Sequence, residues 1–207
     1  MSNEIENLVR VNKSQVEPAA EALTKAFKNL NSMKYFFPND LNRAKAVRTF
    51  LSIGVYIGIK YGEVYATSSN YEGVAIWMPS DKLPITTRKM LSSVRLMAVL
   101  GFVRHGGSKM RGFGDFTEKA HKRLAPFKHW YLQAIGVDPK FQGKGYAGKL
   151  IKPMLAKIDT QHLPCYLETF EEKNASIYER FGFKVIERSP IPKTPLENFA
   201  MLRDAVL

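Results

Sequence analysis

The chain carries the run Val137-Asp138-Pro139-Lys140-Phe141-Gln142-Gly143-Lys144-Gly145-Tyr146-Ala147, with an apolar stretch before it and a helix-patterned stretch after it. That order predicts a strand, a short glycine-bearing loop, and a helix whose first turn is free of bulky side chains at Gly143 and Gly145. The first N–H groups of a helix lack internal partners, and the helix dipole favours negative charge there, so such a turn binds anions. Glycine lets a phosphate come close to the backbone. The chemistry indicated is the binding of a ligand that carries a pyrophosphate. Further along, Asn174 and Tyr178 stand four residues apart and share one face of a short helix that Gly182 ends.

Other reactive residue types form no such pattern. Cys165 is the single cysteine, which leaves no internal disulfide and no paired-cysteine zinc site. It reads as a small buried hydrophobe, since its nearest histidine, His162, falls in the preceding loop. His105, His121, His129 and His162 show no metal-ligand spacing, so no metal is expected.

The elements that must position these residues follow from periodicity and breakers. Leu8 to Val11 suits a short strand. Ser14 and Glu17 have capping-box spacing ahead of Val16, Ala19, Ala20, Leu23, Ala26 and Phe27, which repeat at helical period. Pro38-Asn39-Asp40 breaks the chain and caps a second helix, with Val47, Phe50, Leu51 and Val55 on its apolar side, and Gly62 stops it. Glu63–Thr67 and Gly73–Met78 read as a hairpin joined through Ser68-Ser69-Asn70. The stretch 80–128 shows two helical patterns: Met90, Leu91, Val94, Met97 and Ala98, then Phe116, Ala120 and Leu124. It is also the most basic part of the chain, with Arg88, Lys89, Arg95, Arg104, Lys109, Arg111, Lys119, Lys122, Arg123 and Lys128.

His129–Val137 is nearly all apolar, as a central strand is. After the glycine loop, Ala147, Leu150, Ile151, Met154, Leu155 and Ile158 form an amphipathic helix, in which Pro153 predicts a kink. Pro164–Thr169 is a strand, Asn174–Phe181 a helix, and Phe183–Glu187 a strand. A loop marked by Pro190, Pro192 and Pro195 leads to a last strand at Phe199–Arg203. Alternating strands and helices define an α/β (α+β mixed) chain.

With 207 residues, 45% of them hydrophobic, the chain has enough apolar material for a core and fits one domain. The formal net charge of +12 suits nucleic acid, a membrane surface or a polyanionic small ligand. Glu4 and Glu6 interrupt the N-terminus, which has no apolar signal core, and the longest apolar run, Phe50–Ile59, is too short to cross a bilayer. The expectation is a cytoplasmic protein without a membrane partner.

The two motifs together resemble the GNAT superfamily of N-acetyltransferases. The matching residues are Val137, Asp138, Pro139, Gln142, Gly145 and Ala147, then Asn174, Tyr178, Gly182 and Phe183, within roughly Trp130 to Ile186. The resemblance implies a splayed mixed sheet of six to seven strands flanked by helices, with a helical insert between strands 3 and 4. It implies one acetyltransferase domain over 1–207, its acetyl-CoA-binding core at 129–187 and its insert, 80–128, beside the acceptor site. Acetyl-CoA would lie between the strands His129–Val137 and Pro164–Thr169.

By the same resemblance, backbone N–H groups of Gln142, Gly143, Lys144, Gly145, Tyr146 and Ala147 would cradle the pyrophosphate. Main-chain groups of Ile135 and Val137 would run beside the pantetheine, and the Asn174 amide would hold it. Tyr178 would protonate the departing thiolate as general acid. The accepting amine needs a base, because an alkylamine has a pKa of about 10.4. Glu168 and Glu63 are the carboxylates available; Gln133, where many relatives carry a carboxylate, is no base. Basic side chains of the insert, if they line the pocket, would disfavour a polyamine and favour an acidic or neutral acceptor. The family reading is a transferase acting on a small-molecule or peptide amine in a ternary complex, with homodimers common among its members. Two alternatives stay open: a non-catalytic CoA-binding sensor and a basic nucleic-acid-binding domain. Scattered basic residues without interleaved aromatics weigh against nucleic acid.

Overall fold

A computed structural model describes residues 4–85, 110 and 112–206. Seven strands form one sheet in the order β1-β2-β3-β4-β5-β7-β6: β1 (Val9–Arg10), β2 (Glu63–Ala66), β3 (Gly73–Pro79), β4 (Trp130–Val137), β5 (Cys165–Thr169), β6 (Lys184–Pro190) and β7 (Glu197–Arg203). Every neighbouring pair is antiparallel except β4 with β5. The helices are α1 (Val16–Phe27), α2 (Asn31–Phe36), α3 (Asp40–Tyr61), α4 (112–124), α5 (Tyr146–Asp159) and α6 (Glu172–Glu179). Mixed sheet, strand count and flanking helices all agree with the expected fold. The Met90–Ala98 stripe and Arg88, Lys89, Arg95, Arg104, Lys109 and Arg111 lie outside the described residues.

Strand alternation sends successive side chains of β3 to opposite layers. Val74 and Ile76 join Val16, Leu23, Val47, Leu51 and Val55 of α1 and α3. Ala75 and Trp77 join Leu150, Ile151, Met154, Leu155 and Ile158 of α5. Each of these five α5 side chains is buried, and such burial contributes about 2 kcal/mol apiece. The helix runs through Pro153 without interruption, and the proline is itself buried.

Two helix starts differ from the local signals. The reciprocal cap ahead of α1 is Asn12 with Gln15, not Ser14 with Glu17. Asn12 Oδ1 accepts the Ser14 N–H at 2.9 Å, Gln15 Oε1 accepts the Asn12 N–H at 3.0 Å, and one 3-10 turn (Lys13–Gln15) precedes the helix. Helix α2 was not expected from sequence. Its start has no side-chain cap of its own; the Asn31 N–H donates instead to Glu171 at 3.0 Å, a carboxylate 140 residues away. By contrast Asn39 caps α3 through Leu41 and Asn42, as its position predicts.

Candidate active site

Strands β4 and β5 pair in register at Trp130–Cys165, Tyr131–Tyr166 and Leu132–Leu167, and the pairing stops there. Beyond that point β4 continues to Val137 while β5 turns away, which opens a wedge in the sheet. A bulge helps. Ile76 pairs with Ala134 and Trp77 with Leu132, so Gln133 has no partner on β3. The Asp138 N–H donates to Glu72 O on the β3 side at 2.8 Å. Alternation therefore turns the peptide groups of Val137 and Ile135 toward the wedge. A cavity of about 1930 Å³ fills the wedge and extends to both faces of the sheet.

One end of the cavity is the glycine loop. Gly143 and Gly145 have φ of +76° and +80°, and Gly145 is the N-cap of α5. A Cβ at either position would meet nothing within 4 Å. Positive φ and open space toward the cavity, rather than crowding, account for glycine at both. None of the backbone N–H groups from Gln142 to Gly148 donates to another described residue. The loop is held from behind: Gln142 Nε2 donates to Val137 O at 3.0 Å, Asp138 accepts the Lys140 N–H at 3.0 Å, and Lys25 pairs with Asp138 at 3.2 Å. That N–H and the Lys25 ammonium outweigh burial and lower the Asp138 pKa. The Lys144 side chain rests over the Phe141 ring, 5.7 Å from its centroid, so its part in an anion site falls to its backbone N–H. Lys149, which from sequence alone reads as a solvated side chain, lines the cavity and lies 4.8 Å from the Tyr146 centroid.

Asn174 and Tyr178 line the cavity from α6, as their spacing predicts. The N-cap of that helix is Glu171, which leaves the Asn174 side chain without a capping role. Tyr178 packs with the α5 layer, edge-on to Phe183 at 6.1 Å, and burial raises its phenol pKa. Tyr178 thus keeps its proton at neutral pH.

Glu168 reaches the cavity from the other face, beside the α3 and α4 layer. Residues 166 and 168 are two apart on β5 and share that face. The Tyr166 hydroxyl donates to Glu168 Oε1 at 3.0 Å, and the Tyr131 hydroxyl faces the same carboxyl. Asn198, fully buried on β7, stands beside it without a hydrogen bond of ordinary geometry. Enclosure dominates: burial pushes the Glu168 pKa from an ordinary 4.5 up to about 7, against the opposing pull of those hydroxyls. Glu63, the other carboxylate weighed from sequence, is elsewhere. It pairs with Lys157 at 2.7 Å, accepts the Tyr65 hydroxyl at 2.9 Å, and does not line the cavity. An ion-paired carboxylate away from the wedge has no substrate proton to take.

Sequence reasoning missed Tyr131, Tyr166 and the apolar wall from α2, α3 and α4. The Tyr166–Glu168 spacing of two on a strand was a legible signal; the wall had none. Tyr166 also stacks on His121 at 4.5 Å, and His121 Nε2 lies 2.7 Å from His129 Nε2. His129 Nδ1 meets Phe127 O at 2.7 Å, so that nitrogen carries the proton and Nε2 accepts from His121. Burial lowers both pKa values, that of His121 to about 4. Among the described residues no third histidine, cysteine or carboxylate joins them as a metal-binding group. Cys165 is buried with its thiol pKa raised, which suits packing and not nucleophilic attack.

Basic residues of α4 do not line the cavity. Lys122 pairs with Glu118 at 2.6 Å and Arg123 with Glu187 at 2.8 Å, both at the surface. An acidic acceptor therefore finds no support in the described part of the insert. No helix among the described residues is long and apolar enough to cross a membrane.

The parallel pair β4–β5 thus parts beside the glycine-capped start of α5, and the comparisons with known proteins say which family builds a sheet this way. The family model for the acetyltransferase (GNAT) domain matches residues 99–185. The chain is 30% identical over 183 residues to the uncharacterized N-acetyltransferase C550.08 of Schizosaccharomyces pombe, which covers 84% of this chain and 72% of that protein. A Corynebacterium glutamicum structure, described as histone acetyltransferase HPA2 and related acetyltransferase, superposes with a TM-score of 0.68 at 19% identity, over 97% of this chain and 96% of that one. The ribosomal-protein-S18-alanine N-acetyltransferase of Escherichia coli shares the fold at a TM-score of 0.52 and 15% identity, over 97% and 94%. The protein belongs to the GNAT acetyltransferase family and is an N-acetyltransferase by class.

Proposed function

We propose that the protein transfers the acetyl group of acetyl-CoA to an amine by direct attack in a ternary complex. One observation carries the reading: the uncommitted amides from Gln142 to Gly148, all but that of Lys144 on residues that line the cavity, face the space that Glu168 enters from one sheet face and Tyr178 from the other. The amides of residues 142–147 bind the pyrophosphate, with the dipole of α5 behind them. The Asn174 amide and the wedge-facing peptide groups of Ile135 and Val137 align the pantetheine along β4.

The chemistry then divides between the faces. Glu168 takes a proton from the incoming ammonium, and the freed nitrogen attacks the thioester carbonyl. The Val137 N–H stabilises the oxyanion without reorganising; the Val137 carbonyl is already engaged by Gln142. As the C–S bond breaks, Tyr178 supplies a proton to the sulfur, and the nitrogen's second proton restores the phenol. The products are the amide, CoA thiol and the proton on Glu168, which passes to solvent.

Thiol release from acetyl-CoA over a range of amine concentrations tests this. The kcat/KM for the amine, which reports groups before the amine binds, should rise with pH and level off above about 7, the value to which burial lifts Glu168. Glu168→Gln should lower kcat on the order of 10²-fold or more and abolish the inflection. A retained inflection would assign the base elsewhere.

A further inference from the structure

The two ends of the cavity differ in charge. Among the described residues the lining cations are Lys149 and Lys152 on α5, Lys173 on α6 and Arg180, which caps α6 at its C-terminal end. At the other end the only charged lining groups among the described residues are Glu168 and Glu171, and Glu171 is tied to the start of α2. Between them lies a wall of Met33 from α2, Phe50, Ile53 and Ile57 from α3, and Phe113 from α4. Phe113 locks this wall in place, edge-on to Phe36 and to Phe170 at 4.8 Å each. Gln133, freed from β3 by the bulge, lines the same cavity, and its Oε1 is buried without a partner.

We infer that the acceptor is a primary amine on a short tether to an uncharged, ring-sized apolar group. This deepens the transferase reading and rests on it. The ammonium end meets Glu168 and the orphan Gln133 oxygen, which accepts an N–H. The apolar end packs against Met33, Phe50, Ile53 and Ile57. A polyamine would have to bury a second ammonium in that wall, and a peptide would bring amides with few partners there; both are unfavourable. A dicarboxylic amine would face Glu168 and Glu171.

A competition among phenethylamine, hexylamine, spermidine, glutamate and an alanine-terminated peptide tests the inference, with acetyl-CoA and thiol release as readout. The expected order puts phenethylamine first, with kcat/KM at least about tenfold above spermidine, glutamate and the peptide. Preference for any of those three would overturn the acceptor class and leave the transferase reading standing. Acetyl-CoA binding with no turnover of any amine would overturn both.

A second variant reads the wall directly. Gly54 lines the cavity on α3, and a Cβ there would lie 3.6 Å from Ile76 Cδ1, an ordinary contact. Leucine favours a helix over glycine, so Gly54→Leu should fold and fill the chamber. It should cut kcat/KM for phenethylamine about tenfold relative to methylamine, with acetyl-CoA affinity unchanged. An unchanged ratio would place the apolar group elsewhere and overturn the assignment.

Discussion

The two ends of the cavity are built from different materials. At the head of α5 the polar groups on offer are backbone, seven uncommitted N–H groups shaped by two glycines at positive φ. Across the sheet the lining is side chain, contributed by α2, α3, α4 and two strands. Backbone amides are present whatever the neighbouring residues are, so that end depends on conformation and not on residue identity. The same division puts the proposed acid and the proposed base on opposite faces: Tyr178 stands with the α5 layer and Glu168 with the α3 and α4 layer.

The sharpest way to break this contrast is at the loop. Gly145→Val forces a β-branched residue into φ near +80°, a conformation it strongly disfavours, and fills the space left for phosphate. Acetyl-CoA affinity should fall about 100-fold or more by calorimetric titration. Lys149→Ala removes only a surface charge at the same end and should cost about threefold. If the lysine variant is as damaging as the glycine variant, side chains and not amides hold the phosphates. Tyr178→Phe tests the reacting end instead: it keeps the ring against Phe183 and deletes the hydroxyl. Single-turnover rates should drop roughly 10²-fold with acetyl-CoA affinity nearly constant. An unchanged rate would remove Tyr178 as the acid.

The same contrast governs how far the sequence alone could be read. The loop was legible because its conformation follows from residues adjacent in the chain: Gly143, Gly145 and the apolar positions of α5 all lie within one turn-and-helix unit. Helix α3 announced itself through Asn39 and Gly62, both local signals. Helix α2 did not, since its first N–H is satisfied by Glu171 from the far side of the fold. The apolar wall of the cavity was invisible for a related reason. Met33, Ile53 and Phe113 are ordinary apolar residues, and only the sheet brings them to one chamber. Glu168 and Glu63 were equivalent in sequence, each a carboxylate on a strand. Lys157, on the facing helix, separates them by neutralising one and leaving the other enclosed.

That enclosure has a thermodynamic consequence, smaller than the effects above but independent of turnover. The folded-state pKa of Glu168, about 7, lies above the ordinary 4.5. Between those values the folded protein keeps a proton that the unfolded chain has released. Stability therefore falls as pH rises through that window, and the loss is complete above it. Glutamine does not titrate, so Glu168→Gln escapes the loss. The melting temperature of the variant relative to the parent should rise between about pH 5 and about pH 8, by a few degrees if the shift amounts to about 1–2 kcal/mol. Comparing the two proteins at both pH values cancels any constant effect of the new amide beside Tyr166 and Asn198. A difference that stays flat with pH would mean that Glu168 titrates like an exposed carboxylate. It would then be fully ionised well below neutrality, and a rise in kcat/KM near pH 7 would need another group.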